Sequence, residues 1–126
     1  MIAFDTNFLI RHIVQDDPAQ CRKVASMLER EAGQDNPVRI LNLVLMETVW
    51  VLESVYRFDR KALAHVVEEL LEDSAFSFDD PDRLRLALKR FKAGRADFSD
   101  YLIRSVADSE DLILETFDKR LRRELD

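Results

Sequence analysis

Cysteine is almost absent from this chain, since Cys21 is the only one among 126 residues. A single thiol excludes a disulfide within the chain, and it excludes a zinc site built from several cysteines. No apolar run approaches the roughly 18 residues that a membrane-spanning helix needs. The first residues also lack the basic stretch of a secretory signal. We therefore expect a protein of a reducing, cytoplasmic compartment with no membrane contact.

Positive charge is scarce as well. Lysine and arginine number 19 against 25 aspartates and glutamates, which leaves a formal net charge of −6 at pH 7. This balance argues against a protein that coats nucleic acid through bulk positive charge. It does not exclude an enzyme that cuts nucleic acid, because such an enzyme needs a cluster of carboxylates at its metal site and only local basic patches for the phosphates. Glycine and proline are too few to mark a linker, so residues 1–126 are expected to form a single domain.

Four short apolar runs are typical of strands that are covered on both faces. They are residues 2–4, 38–41, 75–78 and 112–114. The segments between them have helical periodicity, which predicts helices over residues 18–28, 44–56, 60–71, 80–91 and 99–107. Because strands alternate with helices, the pattern indicates an α/β fold with a parallel sheet. The two helices between the second and third strands suggest a helical hairpin.

Acidic residues directly follow two of the predicted strands. Asp5 comes after the first run, and Asp118 comes shortly after the last. Sites in open parallel sheets lie beyond the carboxyl ends of the strands, so these two acids would meet at one rim if their strands are neighbours. Glu47 and Asp100 lie in apolar helical segments, where a charged residue is rarely buried unless it is paired or bound to metal.

Four converging carboxylates need a cation. Two carboxylates about 5 Å apart repel each other by on the order of 3 kcal/mol at an effective dielectric constant of about 20. A divalent ion removes this conflict, and oxygen ligands favour Mg²⁺ or Mn²⁺ over Zn²⁺. Such an ion can activate a water and offset charge during phosphodiester hydrolysis.

Four motifs, in this order and spacing, resemble those of the PIN-domain ribonucleases and, within them, the VapC-type toxins of prokaryotic toxin–antitoxin pairs. They are Asp5-Thr6-Asn7, the segment 46–52 around Glu47, the segment 97–103 and Thr116-Phe117-Asp118. The resemblance covers nearly the whole chain. It implies a three-layer α/β/α sandwich whose central sheet has about four mostly parallel strands.

The resemblance also implies an activity, which is the hydrolysis of RNA by a metal-dependent endoribonuclease with Mg²⁺ or Mn²⁺. The implied catalytic residues and metal ligands are Asp5, Glu47, Asp100 and Asp118, with Asp97 as a further ligand and with Asn7 and Thr116 as polar supports. The implied partners are an RNA substrate, a cognate antitoxin protein and a second copy of the chain. The apolar pair of helices over residues 44–71 is the expected contact surface.

Two departures from the family pattern stand out. Arg104 and Ser105 occupy positions where the family usually has small residues, and Ser109-Glu110 stands where a glycine commonly precedes the last strand. Arg104 follows Asp100 by one helical turn, so it can contact either that acid or RNA.

Each acid also has a structural interpretation. The alternatives are a helix cap at Asp5, a solvated helix position at Glu47, a capping box over Asp97 and Asp100, and an ion pair of Asp118 with Lys119 or Arg120. Among the other residues, we expect His12 and His65 at the surface or its boundary, and Trp50 and the phenylalanines in the core. The basic runs over residues 89–92 and 119–123 can follow RNA phosphates or form solvated helix faces.

Two other functions compete with the nuclease. One is a non-catalytic PIN-like module that only binds protein or RNA, although intact acids have no evident use there. The other is a phosphoacceptor domain, which also places an aspartate after its first strand. The receiver type needs an acidic pair before that residue and the dehalogenase type needs Asp-x-Asp, whereas this chain has Asp5-Thr6-Asn7.

Overall fold

The computed structural model describes residues 1–125, in which helices surround a very short parallel sheet. In chain order the elements are α1 (Thr6–Ile13), α2 (Pro18–Ala32), β1 (Val38–Arg39), α3 (Asn42–Ser54), α4 (Arg60–Glu72), β2 (Phe76–Ser77), α5 (Pro81–Ala93), α6 (Phe98–Ser109) and α7 (Lys119–Leu125). This is a helix-rich α/β arrangement. Within the part of the chain that is described, none of the helices combines the length and apolarity needed to cross a membrane.

The centre of the sheet is β1. It pairs in parallel with β2, and Arg39 lies opposite Ser77. On its other side, Arg39 faces Ala3 in a single parallel bridge. There the Arg39 N–H donates to the Ile2 carbonyl at 2.9 Å, and the Phe4 N–H donates to the Arg39 carbonyl at 3.3 Å. The first three predicted strands therefore lie side by side, in the order first, second, third.

The predicted fourth strand, residues 112–114, has no strand partner among residues 1–125. Leu112 and Ile113 are exposed rather than covered on both faces. A run of three apolar residues becomes a strand only when a neighbouring backbone completes its hydrogen bonds, and that neighbour is not visible in the local sequence. The described sheet thus has two strands and one bridge, and the expected sheet of about four strands is not observed.

All five helices predicted from periodicity are present, with ends shifted by a few residues. Pro18 opens α2 as predicted, and the Asp17 side chain accepts the Gln20 N–H at 3.1 Å. Two further short helices, α1 and α7, begin directly after Asp5 and Asp118. A carboxylate before a helix accepts N–H groups that have no partner within the helix, so these two acids also shape the backbone.

Most large apolar side chains lie in one continuous core, but two predicted core residues do not. The exposed fraction of Trp50 is 64%, and Phe117 is fully exposed. The reason at Trp50 is that α3 is apolar around most of its circumference, so packing one face leaves apolar residues on the other. Phe117 lies in the unpaired segment that leads to α7.

Helix α7 is held in place by Leu121 and Glu124. Leu121 is buried, and the buried Tyr101 of α6 donates its hydroxyl to the Glu124 carboxylate at 2.7 Å. The same hydroxyl accepts the Ala96 N–H at 3.2 Å. A Cβ atom on Gly94 would overlap both the Tyr101 hydroxyl and the Glu124 carboxylate. Glycine at this position therefore lets α7 approach the turn between α5 and α6.

Candidate active site

Three of the five predicted metal ligands lie together near the first turns of α6 and α7. Asp97 is the N-cap of α6, Asp100 lies in its first turn, and Asp118 directly precedes α7. Partial burial raises the pKa of Asp100, and the nearby charges of Asp118 and Asp97 raise it further. The three carboxylates are therefore close enough to repel one another. We call Asp97, Asp100 and Asp118 the acidic cluster.

Asp118 uses its two carboxylate oxygens differently. Oδ1 accepts the backbone N–H groups of Arg120 at 2.9 Å and Leu121 at 3.1 Å, which starts α7. Oδ2 lies 3.3 Å from the Arg120 guanidinium. The hydrogen bond from the Leu121 N–H, together with the Arg120 guanidinium, lowers the pKa of Asp118. Asp118 therefore remains ionised while its neighbour Asp100 is harder to ionise.

Asp97 and Asp100 form part of a capping box. The Asp97 N–H donates to Asp100 Oδ2 at 3.0 Å, and the Asp100 N–H donates to the Asp97 carbonyl at 3.0 Å. This geometry agrees with the helix-cap interpretation of the Asp97-x-x-Asp100 spacing. The Asp97 carboxylate is exposed, and its Oδ2 lies 3.8 Å from the Arg120 guanidinium.

The other two predicted ligands, Asp5 and Glu47, lie on α1 and α3. Asp5 caps α1, because its Oδ1 accepts the Phe8 N–H at 2.9 Å. Thr6, the next residue, donates its hydroxyl to Glu47 Oε1 and so links α1 to α3. Glu47 is exposed while the adjacent Thr48 is buried, so the expectation of a buried acid within α3 is wrong. The apolar residues around Glu47 in sequence point to other sides of the helix.

A shallow depression of about 470 Å³ connects Glu47 with the first turn of α6. Its lining includes Glu47 and Trp50 of α3 and Ser99, which lies between Asp97 and Asp100 in sequence. Glu47 therefore lies near the first turn of α6, to which Asp100 also belongs. Asp5 borders a separate depression of about 310 Å³ between α1 and α2.

The donor chemistry of these acids suits a hard divalent cation, because every candidate ligand is a carboxylate. The arrangement does not yet suit one. Within residues 1–125, no three His, Cys, Asp or Glu side chains are placed to hold a metal ion together. Asp97 and Asp118 are directed to Arg120, and Glu47 is directed to Thr6. A cation at Asp97 and Asp118 would compete with the Arg120 guanidinium, whereas Glu47 keeps a second oxygen beside its bond to Thr6.

The predicted polar supports differ in what they do. Thr116 accepts the Asp118 N–H through its hydroxyl at 3.0 Å, so it orders the backbone just before α7. Asn7 is exposed, and no side-chain hydrogen bond of Asn7 is found in the described part of the chain. Of the two alternatives for Arg104, contact with Asp100 is not found among the ion pairs of residues 1–125.

Sequence reasoning missed the role of Thr6 and the central position of Arg120. Thr6 stands inside the Asp5-Thr6-Asn7 motif, where a hydroxyl beside a candidate ligand was the available signal. Arg120 is predicted only as one of two cations near Asp118. Nothing in the local sequence indicates that Asp97, on another helix, also faces it.

A comparison with known protein families matches the PIN domain over residues 2–124. The match begins before the bridged residue Ala3 and extends into α7, so it includes all five candidate acids. No curated protein matches the chain, and no solved structure does.

Proposed function

Because the chain belongs to the PIN domain family, we propose that it is a metal-dependent endoribonuclease. PIN domains are generally nucleases and typically use divalent metals. In this proposal Mg²⁺ or Mn²⁺ is the cofactor, and the residues that hold it are Asp5, Glu47, Asp97, Asp100 and Asp118. All of these except Asp97 are proposed as catalytic.

The meeting of Asp97, Asp100 and Asp118 is the observation that carries this proposal. Two helices that are separated in sequence contribute these carboxylates, and the pKa of Asp100 is raised by burial and by the other two charges. Carboxylates that repel one another at a surface cost stability, and such perturbed groups are concentrated at functional sites.

The proposed chemistry divides between the cofactor and the chain. A divalent cation, when bound, lowers the pKa of a water and offsets the charge of the phosphate. The chain holds the acids in place. The Thr6 hydroxyl holds Glu47, the Asp97 N–H holds Asp100, and the Thr116 hydroxyl orders the backbone of Asp118.

We also propose that the protein is the toxin of a toxin–antitoxin pair. The support is the resemblance to VapC-type toxins together with exposed apolar side chains on α3 and directly after it, where Leu43, Trp50 and Val55 are 74%, 64% and 63% exposed. Large exposed apolar patches mark contact sites. In the proposal this surface and α4 bind the antitoxin and a second copy of the chain, and light scattering at micromolar concentration should show a dimer.

Two broader features belong to the same proposal. We place the protein in the cytoplasm, in keeping with a single cysteine in the whole chain. We also treat residues 1–126 as one domain, of which Asp126 lies outside the described residues.

A non-catalytic module that binds RNA or protein is the second candidate. The observation in its favour is that no three acids within residues 1–125 are arranged to hold a metal, while Arg120 neutralises part of the acidic cluster. Such a protein would bind RNA equally well with chelator and with metal, and it would leave the RNA intact.

Cleavage of a structured RNA by the purified protein separates the two candidates. We expect cleavage with Mg²⁺ or Mn²⁺ and none in excess chelator. Asp5→Asn and Asp100→Asn should abolish cleavage, because each removes a proposed ligand charge. Asp35→Asn is the matched control, since Asp35 is an exposed loop acid without an ion pair in the described structure. Cleavage that persists in chelator, or survives both site variants, contradicts the proposal.

A further inference from the structure

Arg120 occupies an unusual position for a surface arginine, because its guanidinium lies among three candidate metal ligands. It is 3.3 Å from Asp118 Oδ2 and 3.8 Å from Asp97 Oδ2. Its own pKa is raised by the hydrogen bond to Asp118 and by the charges of Asp118, Asp97 and Asp100. One cation of the chain thus partly neutralises the whole acidic cluster.

The two carboxylate oxygens of Asp118 have different partners. Oδ1 already accepts two backbone N–H groups, those of Arg120 and Leu121, and these bonds begin α7. Oδ2 contacts only the Arg120 guanidinium in the described structure, so it is the oxygen with capacity for a further partner. A divalent ion at Oδ2 would lie beside the guanidinium, and the two positive charges would repel each other.

We infer that Arg120 is an internal cation that neutralises the acidic cluster in the metal-free protein and opposes the binding of a divalent ion there. The inference rests on the proposed function, because it concerns the same acids. Two of the three acids in the cluster already face the guanidinium in the described structure.

The geometry allows Arg120 to leave without unfolding α7. Its side chain is 49% exposed, so the guanidinium can rotate into solvent. Helix α7 stays attached through the buried Leu121 and through the bond between Glu124 and Tyr101. The backbone N–H bonds to Asp118 Oδ1 also do not depend on the Arg120 side chain.

Binding of Mn²⁺ to the RNA-free protein tests this inference directly, with free Mn²⁺ measured by electron paramagnetic resonance. We compare wild type with Arg120→Gln, Arg120→Lys and Arg122→Gln. Arg122 is the matched control, because it is an exposed arginine on the same helix without an ion pair in the described residues. Arg120→Gln removes a paired cation from the acidic cluster, so this variant should bind Mn²⁺ about five-fold more tightly than wild type. Arg122→Gln should stay within about two-fold of wild type.

Thermal melting of the same proteins supplies a second readout. In chelator, Arg120→Gln should melt below wild type, because the acidic cluster has lost its neutralising charge. With Mn²⁺ the difference should shrink or reverse, since the variant gains more from the ion. A merely structural arginine would lower the melting temperature equally in both conditions, and this result would overturn the inference.

The remaining outcomes separate this inference from the proposed function. Equal Mn²⁺ affinity of wild type, Arg120→Gln and Arg122→Gln would overturn the role of Arg120 and leave a metal site in place. No Mn²⁺ binding by any of the four proteins would overturn both the metal site and the role of Arg120. Binding by Arg120→Gln together with no binding by wild type would be the strongest support.

Discussion

Asp100 and Asp118 belong to one cluster, yet their pKa values move in opposite directions from 3.8. Burial and like charges raise the pKa of Asp100, so its ionisation costs stability as the pH rises above 3.8. Backbone and Arg120 hydrogen bonds lower the pKa of Asp118, so its charge contributes stability that is lost as the pH falls through its lowered pKa. The same kind of substitution should therefore have opposite effects at the two positions.

We predict that Asp100→Asn raises the melting temperature of the metal-free protein at neutral pH and that Asp118→Asn lowers it. In both variants the amide oxygen can still accept the backbone N–H groups, so the change in charge is the main difference. Calorimetry in chelator measures both effects. Equal shifts of the same sign at the two positions would contradict the opposite electrostatic environments.

His12 is a second residue whose titration should be visible in the fold. It is half-buried, with its ring centroid 5.1 Å from that of Phe76. Burial lowers its pKa from 6.5, against a smaller opposing effect of Asp73. Neutral His12 therefore contributes to the free energy of unfolding at pH values above 6.5, the pKa of the unfolded state. This contribution is lost as the pH falls through the lowered pKa of His12 in the folded state.

We therefore expect the melting temperature of wild type to fall on acidification from about pH 7.5 to about pH 5, and to fall less in His12→Gln. His65→Gln is the control, because His65 is exposed and lies 3.1 Å from the Glu69 carboxylate at the surface. The same pH slope in wild type and His12→Gln would show that the buried ring does not titrate in this range.

Single residues also show where sequence reasoning stops. Asp5 and Asp97 are recognisable as possible helix caps from local sequence motifs, whereas Asp118 is expected after a strand and the helix that follows it is not predicted. Arg120 is not recognisable in the same way, since its contact with Asp97 depends on how α7 packs beside α6. The exposure of Trp50 likewise depends on which face of α3 meets its neighbours, and a helix that is apolar nearly all round does not encode that choice.

At the scale of elements, the position of α7 depends on the contact between Tyr101, Glu124 and Gly94. A methyl group at Gly94 has no room, whereas one at Gly33 would meet only ordinary contacts with the Arg30 and Glu29 carbonyls at 3.5 and 3.6 Å. Overpacking of a tight site typically costs about 1–3 kcal/mol. Alanine in a helical backbone conformation such as that of Gly33 typically gains about 0.4–1 kcal/mol.

We predict that Gly94→Ala destabilises the protein by about 1–3 kcal/mol and displaces α7, while Gly33→Ala is neutral or stabilising. Urea unfolding measures the stability. Because α7 carries Arg120 and begins at Asp118, Gly94→Ala should also reduce RNA cleavage. Unchanged stability and cleavage in Gly94→Ala would show that the side chain of Glu124 moves aside without effect.

Elements differ in how well the sequence predicts them. The five long helices were recoverable because 3.6-residue periodicity is a local signal and because aspartates such as Asp17 mark helix starts. The first three strands were recoverable as apolar runs, but only two or three residues of each take part in pairing. The run 112–114 has the same composition and no partner in the described sheet. Pairing is decided by distant backbone, so composition alone could not separate it from the others.

At the scale of the whole molecule, ion pairs within the chain neutralise part of each basic run. Arg90 pairs with Asp108 at 3.1 Å, and Lys92 pairs with Glu68 at 2.5 Å, so the first basic run is partly neutralised. In the second run, Arg120 is engaged by the acidic cluster. With a net charge of −6, only a small number of phosphates can be contacted.

We predict a shallow salt dependence of RNA binding. About three phosphate contacts to a single strand give a slope of log K against log salt of about −2. Fluorescence anisotropy with labelled single-stranded RNA in chelator, which prevents cleavage, measures the slope between low and moderate salt. A slope steeper than about −5 would correspond to about seven phosphate contacts or more and would contradict the small number that the net charge predicts.

The segment 112–117, which has no strand partner, is a site at which a protease could separate Asp118 from the rest of the acidic cluster. Ile113 and Phe117 are almost fully exposed, and no strand partner protects this backbone within residues 1–125. Exposed, unpaired chain is where proteases cut. A single nick after Phe117 would release Asp118 and Arg120 on a short peptide, held only by the packing of α7. Most of the core would remain folded after such a cut. One proteolytic cut could therefore remove the proposed activity while the rest of the protein stays folded.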